Sequence, residues 1–158
     1  IGTVKFTGTT YAPLPGKFEA GTQNINAVPT LKDALNFMSM IINDDELQRE
    51  LGEVDEYMYT TLSRIKGPNE VRLFGVPRGT EGKIPLYSFV VEGAHHEDIA
   101  LILDKMGIAV RSGQMCAEPL MDRFGVTGMV RISLAPYNTM AEAEYFIKSL
   151  EKAVAMLV

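Results

Sequence analysis

The stretch that most constrains this chain is residues 108–120, because it holds the only cysteine among the 158 residues. It begins after Gly107 as a short apolar run, residues 108–110, which predicts a strand. A polar Ser-Gly pair follows, and Cys116 stands just before the sequence Ala-Glu-Pro-Leu. Pro119 occupies a position typical of the first turn of a helix, where proline has no N–H to lose. The sequence therefore predicts a thiol on a loop between the end of a strand and the start of a helix.

Two interpretations of Cys116 are open at this point. A single cysteine is most often a small buried hydrophobe. Here, however, its neighbours are polar, Arg111 is close in sequence, and a helix is expected to begin directly after it. A cation and a helix N-terminus both favour the thiolate, which is the reactive form of cysteine. The pattern therefore favours an exposed, reactive thiol.

Composition and charge exclude several classes of protein. The chain is 46% hydrophobic and 22% charged, which is typical of a globular domain with a real core. A net charge of −5 gives no reason to expect nucleic acid or an anionic membrane as a partner. No apolar run approaches the roughly 20 residues that span a bilayer. One cysteine cannot form an internal disulfide, which fits a reducing compartment, so we expect a cytoplasmic protein.

Hydrophobic periodicity predicts the fold class. Apolar residues recur at helical spacing in residues 31–42, 47–65, 99–106 and 143–157, whereas residues 71–74, 84–91 and 129–134 read as strands. This order predicts an α/β (α+β) sandwich, with a small, mostly antiparallel sheet and helices packed on one face. Residues 1–29 are rich in glycine and proline. Apart from a possible strand at residues 3–6, we expect this segment to be extended or disordered, with residues 30–158 forming the domain.

The two histidines, His95 and His96, are candidate metal ligands only at first sight. Adjacent side chains point in different directions, and no third ligand follows at metal-binding spacing. Acidic residues come directly after them, as in the first turn of a helix. We therefore expect them to mark a helix start and expect no metal site.

Three segments resemble one enzyme family. The sequence Arg-Ser-Gly-x-x-Cys-Ala-x-Pro-Leu at residues 111–120 is similar to the cysteine loop of the cysteine desulfurases of the selenocysteine lyase-like group. Residues 18–24 resemble that group's Phe-Glu-Ala-Gly-Thr-Pro-Asn, with Gln23 in place of proline. Residues 130–139 resemble its Arg-x-Ser-x-x-x-Tyr-Asn-Thr segment. These relatives are pyridoxal-phosphate (PLP) enzymes of the class V aminotransferase family, with the fold of aspartate aminotransferase (fold type I).

The resemblance implies that the chain is the C-terminal small domain of such an enzyme, with residues 1–29 lying along a large domain that is absent here. In the family, PLP is attached to a lysine that follows a histidine, and this chain has no His-Lys pair. The chain begins with Ile1 rather than methionine. We therefore expect a fragment that neither binds PLP covalently nor turns over by itself.

The resemblance also assigns roles in the desulfurase reaction. Cys116 matches the nucleophile that takes sulfur from L-cysteine as a persulfide and leaves L-alanine. Arg131 matches the arginine that binds the substrate carboxylate, for which a planar guanidinium is well suited. Arg111 matches a residue near the substrate and the cysteine.

A second set of residues concerns the cofactor. Thr22, after Gly21, matches the threonine that reaches the PLP phosphate of the partner subunit in a homodimer, and a hydroxyl in a glycine turn suits an anion. The chain departs from the family at Gln114 and Met115, where one or two histidines are usual. Any proton transfer by those histidines is therefore not expected here.

Several functions remain open on the sequence. The first is a cysteine desulfurase that passes sulfur to an acceptor protein for iron–sulfur clusters or other thio-cofactors. The same scaffold also serves selenocysteine lyases. Alternatives of another class are a separate persulfide carrier and an interaction domain with an inert cysteine.

Overall fold

The computed structural model describes residues 1–19 and 21–158, which form two compact units, Ile1–Ile42 and Asn43–Val158. The first unit holds, in order, β1 (Val4–Lys5), β2 (Gly8–Thr9), a 3₁₀ helix (Gly16–Phe18) and α1 (Leu31–Ile42). The elements of the second unit are α2 (Asp45–Arg64), β3 (Val71–Phe74), β4 (Leu86–Val91), α3 (His96–Lys105), β5 (Arg111–Gly113), α4 (Glu118–Phe124), β6 (Met129–Ser133) and α5 (Met140–Leu157).

The first unit has very little core of its own. Strands β1 and β2 form an antiparallel hairpin, so the strand expected at residues 3–6 is present. Helix α1 has no buried residue, although seven of its twelve residues are large and apolar. The boundary predicted between residues 29 and 30 assigns residues 1–29 to a large domain that is not in this chain. It therefore stays a prediction.

The second unit is built on a four-stranded sheet with the order β3-β4-β6-β5, in which every neighbouring pair is antiparallel. Side chains of one face alternate with those of the other along each strand. On β4, Tyr87, Phe89 and Val91 are buried while the residues between them are half-buried. The sheet therefore has one fully covered face and one partly covered face.

Helices α2, α3 and α5 cover the first face. Their apolar stripes meet the strands in one core, whose largest fully buried side chains are Phe89, Met58, Leu62, Ile99, Leu103 and Leu150. Burying a side chain of this size contributes about 1.5–3 kcal/mol to folding. The α+β sandwich with helices on one face, predicted from the periodicity, is confirmed.

The helix boundaries follow from local chemistry. Asp44 caps α2 by accepting hydrogen bonds from the backbone N–H of Glu46 and Leu47, both at 3.1 Å. Thr139 and Glu142, spaced as in the Thr-x-x-Glu pattern, form a capping box at the start of α5. Within the residues described, the structure holds no helix both long and apolar enough to cross a membrane.

One strand differs from its prediction. The apolar run at residues 108–110 was expected to be the strand, but the hydrogen-bonded ladder comprises Arg111–Gly113 instead. Ile108 and Val110 pack, partly buried, against the core without joining the ladder. The periodicity of apolar residues indicates which residues are buried, not which residues pair in a sheet. At residues 108–113 the buried residues and the paired residues are not the same.

Candidate active site around Cys116 and Arg131

A groove of about 440 Å³ lies on the partly covered face of the sheet. Its floor includes Ser88 and Arg131, and one wall comes from the loop that joins β3 to β4. The other wall comes from the cysteine loop and α4, including Met115 and Phe124. Most of the lining is apolar, so the charge of Arg131 is placed in surroundings that water screens only in part.

The sheet register places the two predicted arginines side by side. Arg111 on β5 is directly opposite Arg131 on β6, and Arg131 is in turn opposite Ser88 on β4. Residues that face each other across an antiparallel pair lie on the same face of the sheet, with Cβ atoms about 4.5–5.5 Å apart. Arg111, Arg131 and Ser88 therefore form one row across the partly covered face.

Arg131 has an unsatisfied hydrogen-bond donor. Its Nε is buried and makes no hydrogen bond to any residue that the structure describes. A buried donor without a partner costs about 1–3 kcal/mol, and more when the group is charged. A carboxylate in the groove would supply the missing acceptor and neutralise the repulsion between the two arginines.

Cys116 lies at the top of a tight turn between β5 and α4. Met115 and Cys116 have φ angles of 55° and 62°, so two consecutive residues with side chains adopt the left-handed conformation. Such a conformation costs about 1–2 kcal/mol per residue. The N–H of Ala117 donates to the carbonyl of Gln114 at 3.0 Å and closes the turn. The turn leaves the Cys116 side chain exposed, as the sequence predicted.

The residues before Cys116 line the groove, but Cys116 itself does not. Gln114 and Met115 line the groove with Arg131, whereas Cys116 is not among its lining residues. The Gln114 amide donates to a carboxylate oxygen of Glu118 at 3.4 Å, which links the loop to the first turn of α4. Below the loop, the rings of Phe74 and Phe124 lie 5.0 Å apart and fix α4 to β3.

Gly21 and Thr22 belong to the first unit. Gly21 has φ +75°, a conformation that favours glycine, and nothing within 4 Å would meet a Cβ there. The reason for glycine at this position is therefore conformational rather than steric. Thr22 is exposed. Ala20, which completes the family-like segment at residues 18–24, lies outside the described residues.

The histidines serve a helix start, as predicted. His95 caps α3 through Nδ1, which accepts a hydrogen bond from the N–H of Glu97 at 3.4 Å. His96 is buried with its ring against Gly128, where a Cβ would come within 2.3 Å of Nε2. Burial, and secondarily the charge of His95, lowers the pKa of His96.

Sequence reasoning missed one feature of the groove and one outside its lining. One is Ser88, which the register places beside Arg131. The other is a polar network in which the carboxylate of Asp55 accepts from Arg78 and from the hydroxyl of Tyr87. Burial and the bond to Asp55 raise the pKa of Tyr87. Both features join residues far apart in sequence, so no local signal marks them.

With this geometry established, comparison with known proteins identifies the class. The model of the family "Aminotransferase class-V" matches residues 1–146. The chain belongs to the class-V aminotransferase family.

Particular relatives sharpen this assignment. The chain is 40% identical over 157 residues to a probable cysteine desulfurase of Vibrio cholerae, covering 99% of this chain and 37% of that protein. It is 35% identical over 160 residues to the cysteine desulfurase CsdA of Escherichia coli, covering 100% of this chain and 37% of CsdA. The chain thus spans little more than a third of the length of these relatives.

Solved structures agree. A crystal structure of CsdA from Escherichia coli, in an S-sulfonic acid form, superimposes with a TM-score of 0.75 at 32% identity, over 99% of this chain and 37% of that one. The apo cysteine desulfurase of Thermococcus onnurineus NA1 gives a TM-score of 0.76 at 33% identity, over 98% of this chain and 37% of that one.

Proposed function

We propose that this chain forms the small domain of a PLP-dependent cysteine desulfurase, which takes sulfur from L-cysteine as a persulfide on Cys116 and releases L-alanine. One observation carries the proposal: an exposed thiol on a strained turn stands beside a groove that holds an unpartnered, buried arginine donor. Its relatives described above are cysteine desulfurases, which supports cysteine over selenocysteine as the substrate.

Arg131 binds the substrate carboxylate in this proposal. Its guanidinium is a planar fork that matches two carboxylate oxygens, and its buried Nε lacks an acceptor among the described residues. Arg111, directly opposite, adds a second positive charge on the same face. Together the two arginines hold the substrate carboxylate at the sheet. The substrate sulfur then points toward the cysteine loop.

Cys116 accepts the sulfur. Its thiolate attacks the sulfur atom of the substrate, a sulfur–sulfur bond forms, and the bond between that sulfur and the substrate's β-carbon breaks. The carbon product takes up a proton and leaves as alanine, while the outer sulfur stays on Cys116. Because the side chain is exposed, the persulfide is accessible to an acceptor protein.

The residues of this chain fit part of a PLP site. The left-handed turn at Gly21, followed by the Thr22 hydroxyl, fits a phosphate of the cofactor in the partner subunit of a homodimer. The chain contains no His-Lys pair, so the covalent attachment belongs elsewhere in the enzyme. When bound, PLP supplies the electron withdrawal that allows the carbon–sulfur bond to break.

The wider role follows from the same chemistry. We assign the enzyme to the cytoplasm, where a single free cysteine stays reduced, and to sulfur supply for iron–sulfur clusters through an acceptor protein. Nothing in the charge of the chain favours a nucleic acid or a membrane as a partner.

The test is an assay of the full-length enzyme. Purified with PLP and given L-cysteine and a reductant, it should release alanine and sulfide in equal amounts. Selenocysteine offered in parallel should not be strongly preferred. Release of alanine only from selenocysteine would assign a lyase, and a protein that accepts persulfide from a donor but never releases alanine would be a carrier.

A further inference from the structure

The loop between β3 and β4, residues 75–85, forms one wall of the groove at Arg131, through Gly75, Val76 and Lys83. Three glycines in this loop, Gly75, Gly79 and Gly82, have φ angles of 99°, 85° and 74°. Glycine restricts the backbone least, so the loop's own sequence does little to fix its position. Local hydrogen bonds, such as those from Thr80 to Pro77 and from Lys83 to Thr80, shape turns within the loop, so contacts with the rest of the unit are needed to fix where this wall stands.

Arg78 supplies such contacts. Its Nε donates to Oδ2 of Asp55 at 2.8 Å, and its Nη2 donates to the carbonyl of Gly52 at 3.2 Å. Its Nη1 lies 2.5 Å from a carboxylate oxygen of Glu56. All three partners belong to α2, which the core holds through Val54, Met58 and Leu62. The fork of a single guanidinium thus ties the middle of the loop to a rigid helix.

This attachment is partly shielded from solvent and connected to the sheet. The side chains of Arg78 and Asp55 are 30% and 16% exposed, against 60% and 58% for the pair Arg49–Glu53 on the surface of α2. Asp55 also accepts a hydrogen bond from the hydroxyl of Tyr87 on β4. On that strand, Leu86 and Ser88 line the groove. One carboxylate therefore couples α2, the loop and the strand that borders Arg131.

We infer that Arg78 is a positioning residue for the substrate: by holding the β3–β4 loop against α2, it keeps the wall of the groove at Arg131 in the conformation that binds cysteine. The inference rests on the proposed function. Without the attachment, the loop samples conformations in which the groove lacks this wall. Apparent substrate affinity then falls by the fraction of time spent in them, while saturated enzyme reacts normally.

The test combines kinetics of the full-length enzyme with hydrogen exchange in the loop. Arg78→Ala should raise KM for cysteine about three- to tenfold and leave kcat within about twofold, because only the population of the competent groove changes. Arg78→Lys should recover part of the loss, since an ammonium replaces one contact of the fork. The backbone amides of Thr80 and Lys83, which donate within the loop, should exchange faster in Arg78→Ala.

Two matched variants separate positioning from loss of stability. Arg49→Ala removes an exposed ion pair on the same helix and should change neither KM nor exchange in the loop. Tyr87→Phe removes the hydrogen bonds from its hydroxyl to the carboxylate and the carbonyl of Asp55 but leaves the Arg78 contacts, so it should lower stability without raising KM. A rise in KM for Tyr87→Phe equal to that of Arg78→Ala, or an unchanged KM for Arg78→Ala, would overturn the inference.

Failure of the proposed function is distinguishable from failure of this inference. If the wild-type enzyme releases no alanine from cysteine, the proposed function is wrong and no kinetic comparison is made. The exchange measurement still decides whether Arg78 holds the loop, since it needs no activity. Unchanged exchange at Thr80 and Lys83 in Arg78→Ala would show that it does not.

Discussion

Arg111 and Arg131 lie directly opposite each other on neighbouring antiparallel strands, with no ion-pair partner for either among the described residues. Like charges at such positions oppose folding, and the buried Nε of Arg131 adds the cost of an unmade hydrogen bond. Proteins keep arrangements of this kind where function requires them. In the proposed function, this cost is offset when the substrate carboxylate binds to the pair.

A first prediction concerns stability. Arg131→Met should raise the free energy of unfolding of the Asn43–Val158 unit by about 0.5–2 kcal/mol, because it removes both the repulsion and the unsatisfied donor. Urea denaturation measures the change. Arg123→Met, at an exposed position in the last turn of α4, is the control and should not stabilise the unit. Equal stability of wild type and Arg131→Met would show that the repulsion and the unsatisfied donor do not destabilise the unit.

A second prediction concerns substrate affinity in the full-length enzyme. Arg131→Ala should lose about 30- to 1000-fold in affinity for cysteine, which corresponds to about 2–4 kcal/mol for a charge-assisted bidentate pair. Arg131→Lys should recover only part, because a point charge replaces a fork. Arg72→Ala, which removes a cation stacked on Phe74 rather than one in the groove, is the control. The measurement is a cysteine titration. Wild-type affinity in Arg131→Ala would show that Arg131 does not bind the substrate.

A third prediction follows from the left-handed turn. Glycine usually destabilises a protein relative to alanine, but Cys116 has φ 62°. Cys116→Gly should therefore be more stable than Cys116→Ala by about 0.5–1 kcal/mol, since relief of the backbone conformation exceeds the entropic cost of glycine. Thermal or urea unfolding of the two variants tests this. Greater stability of the alanine variant would show that the turn in solution differs.

A fourth prediction concerns pH. Burial, and secondarily the charge of His95, lowers the pKa of His96 below 6.5, while the carboxylates of Glu97 and Asp98 partly oppose this shift. The folded state then binds fewer protons than the unfolded state, so stability should be full above about pH 6.5 and fall as the pH drops toward the lowered pKa. His96→Gln should flatten this part of the profile. His95→Asn keeps a capping acceptor and leaves the burial of His96, the larger cause of the shift, so it should flatten the profile less.

The carboxylate of Glu142 accepts a hydrogen bond from the N–H of Thr139, which lowers the pKa of Glu142 from 4.5. The contribution of Glu142 to stability is therefore lost only below that pH. The two groups therefore act in separate windows of a denaturation profile. A slope just below pH 6.5 that is the same in His96→Gln as in the wild type would contradict the assignment to His96.

Local chemistry in the sequence predicted much of the fold. The stripe of Val54, Met58 and Leu62 and the Thr139–Glu142 capping box depend on spacings within one element, and both are present. The strand at residues 108–110 was misplaced because burial and ladder pairing diverge there. The fold class needed only the order of elements.

Less of the candidate site than of the fold could be predicted from the sequence. A resemblance singled out Arg131, but only the strand order β4-β6-β5 puts Arg111 on one side of it and Ser88 on the other. Arg78 and Asp55, 23 positions apart, carry no pattern that links them. Such contacts depend on how distant segments meet, which periodicity does not encode. The catalytic and binding roles of Cys116, Arg131, Arg111, Thr22 and Gly21 all stay predictions.

The central claim is that Cys116 accepts the sulfur of L-cysteine. The direct measurement is mass spectrometry of the full-length enzyme after brief exposure to cysteine without reductant, followed by blocking of free thiols and digestion. The account predicts that the peptide containing Cys116 gains the mass of one sulfur atom, that alanine appears in equal amount, and that Cys116→Ala shows neither. Alanine release by Cys116→Ala at the wild-type rate, or release by the wild type with no sulfur on this peptide, would contradict it.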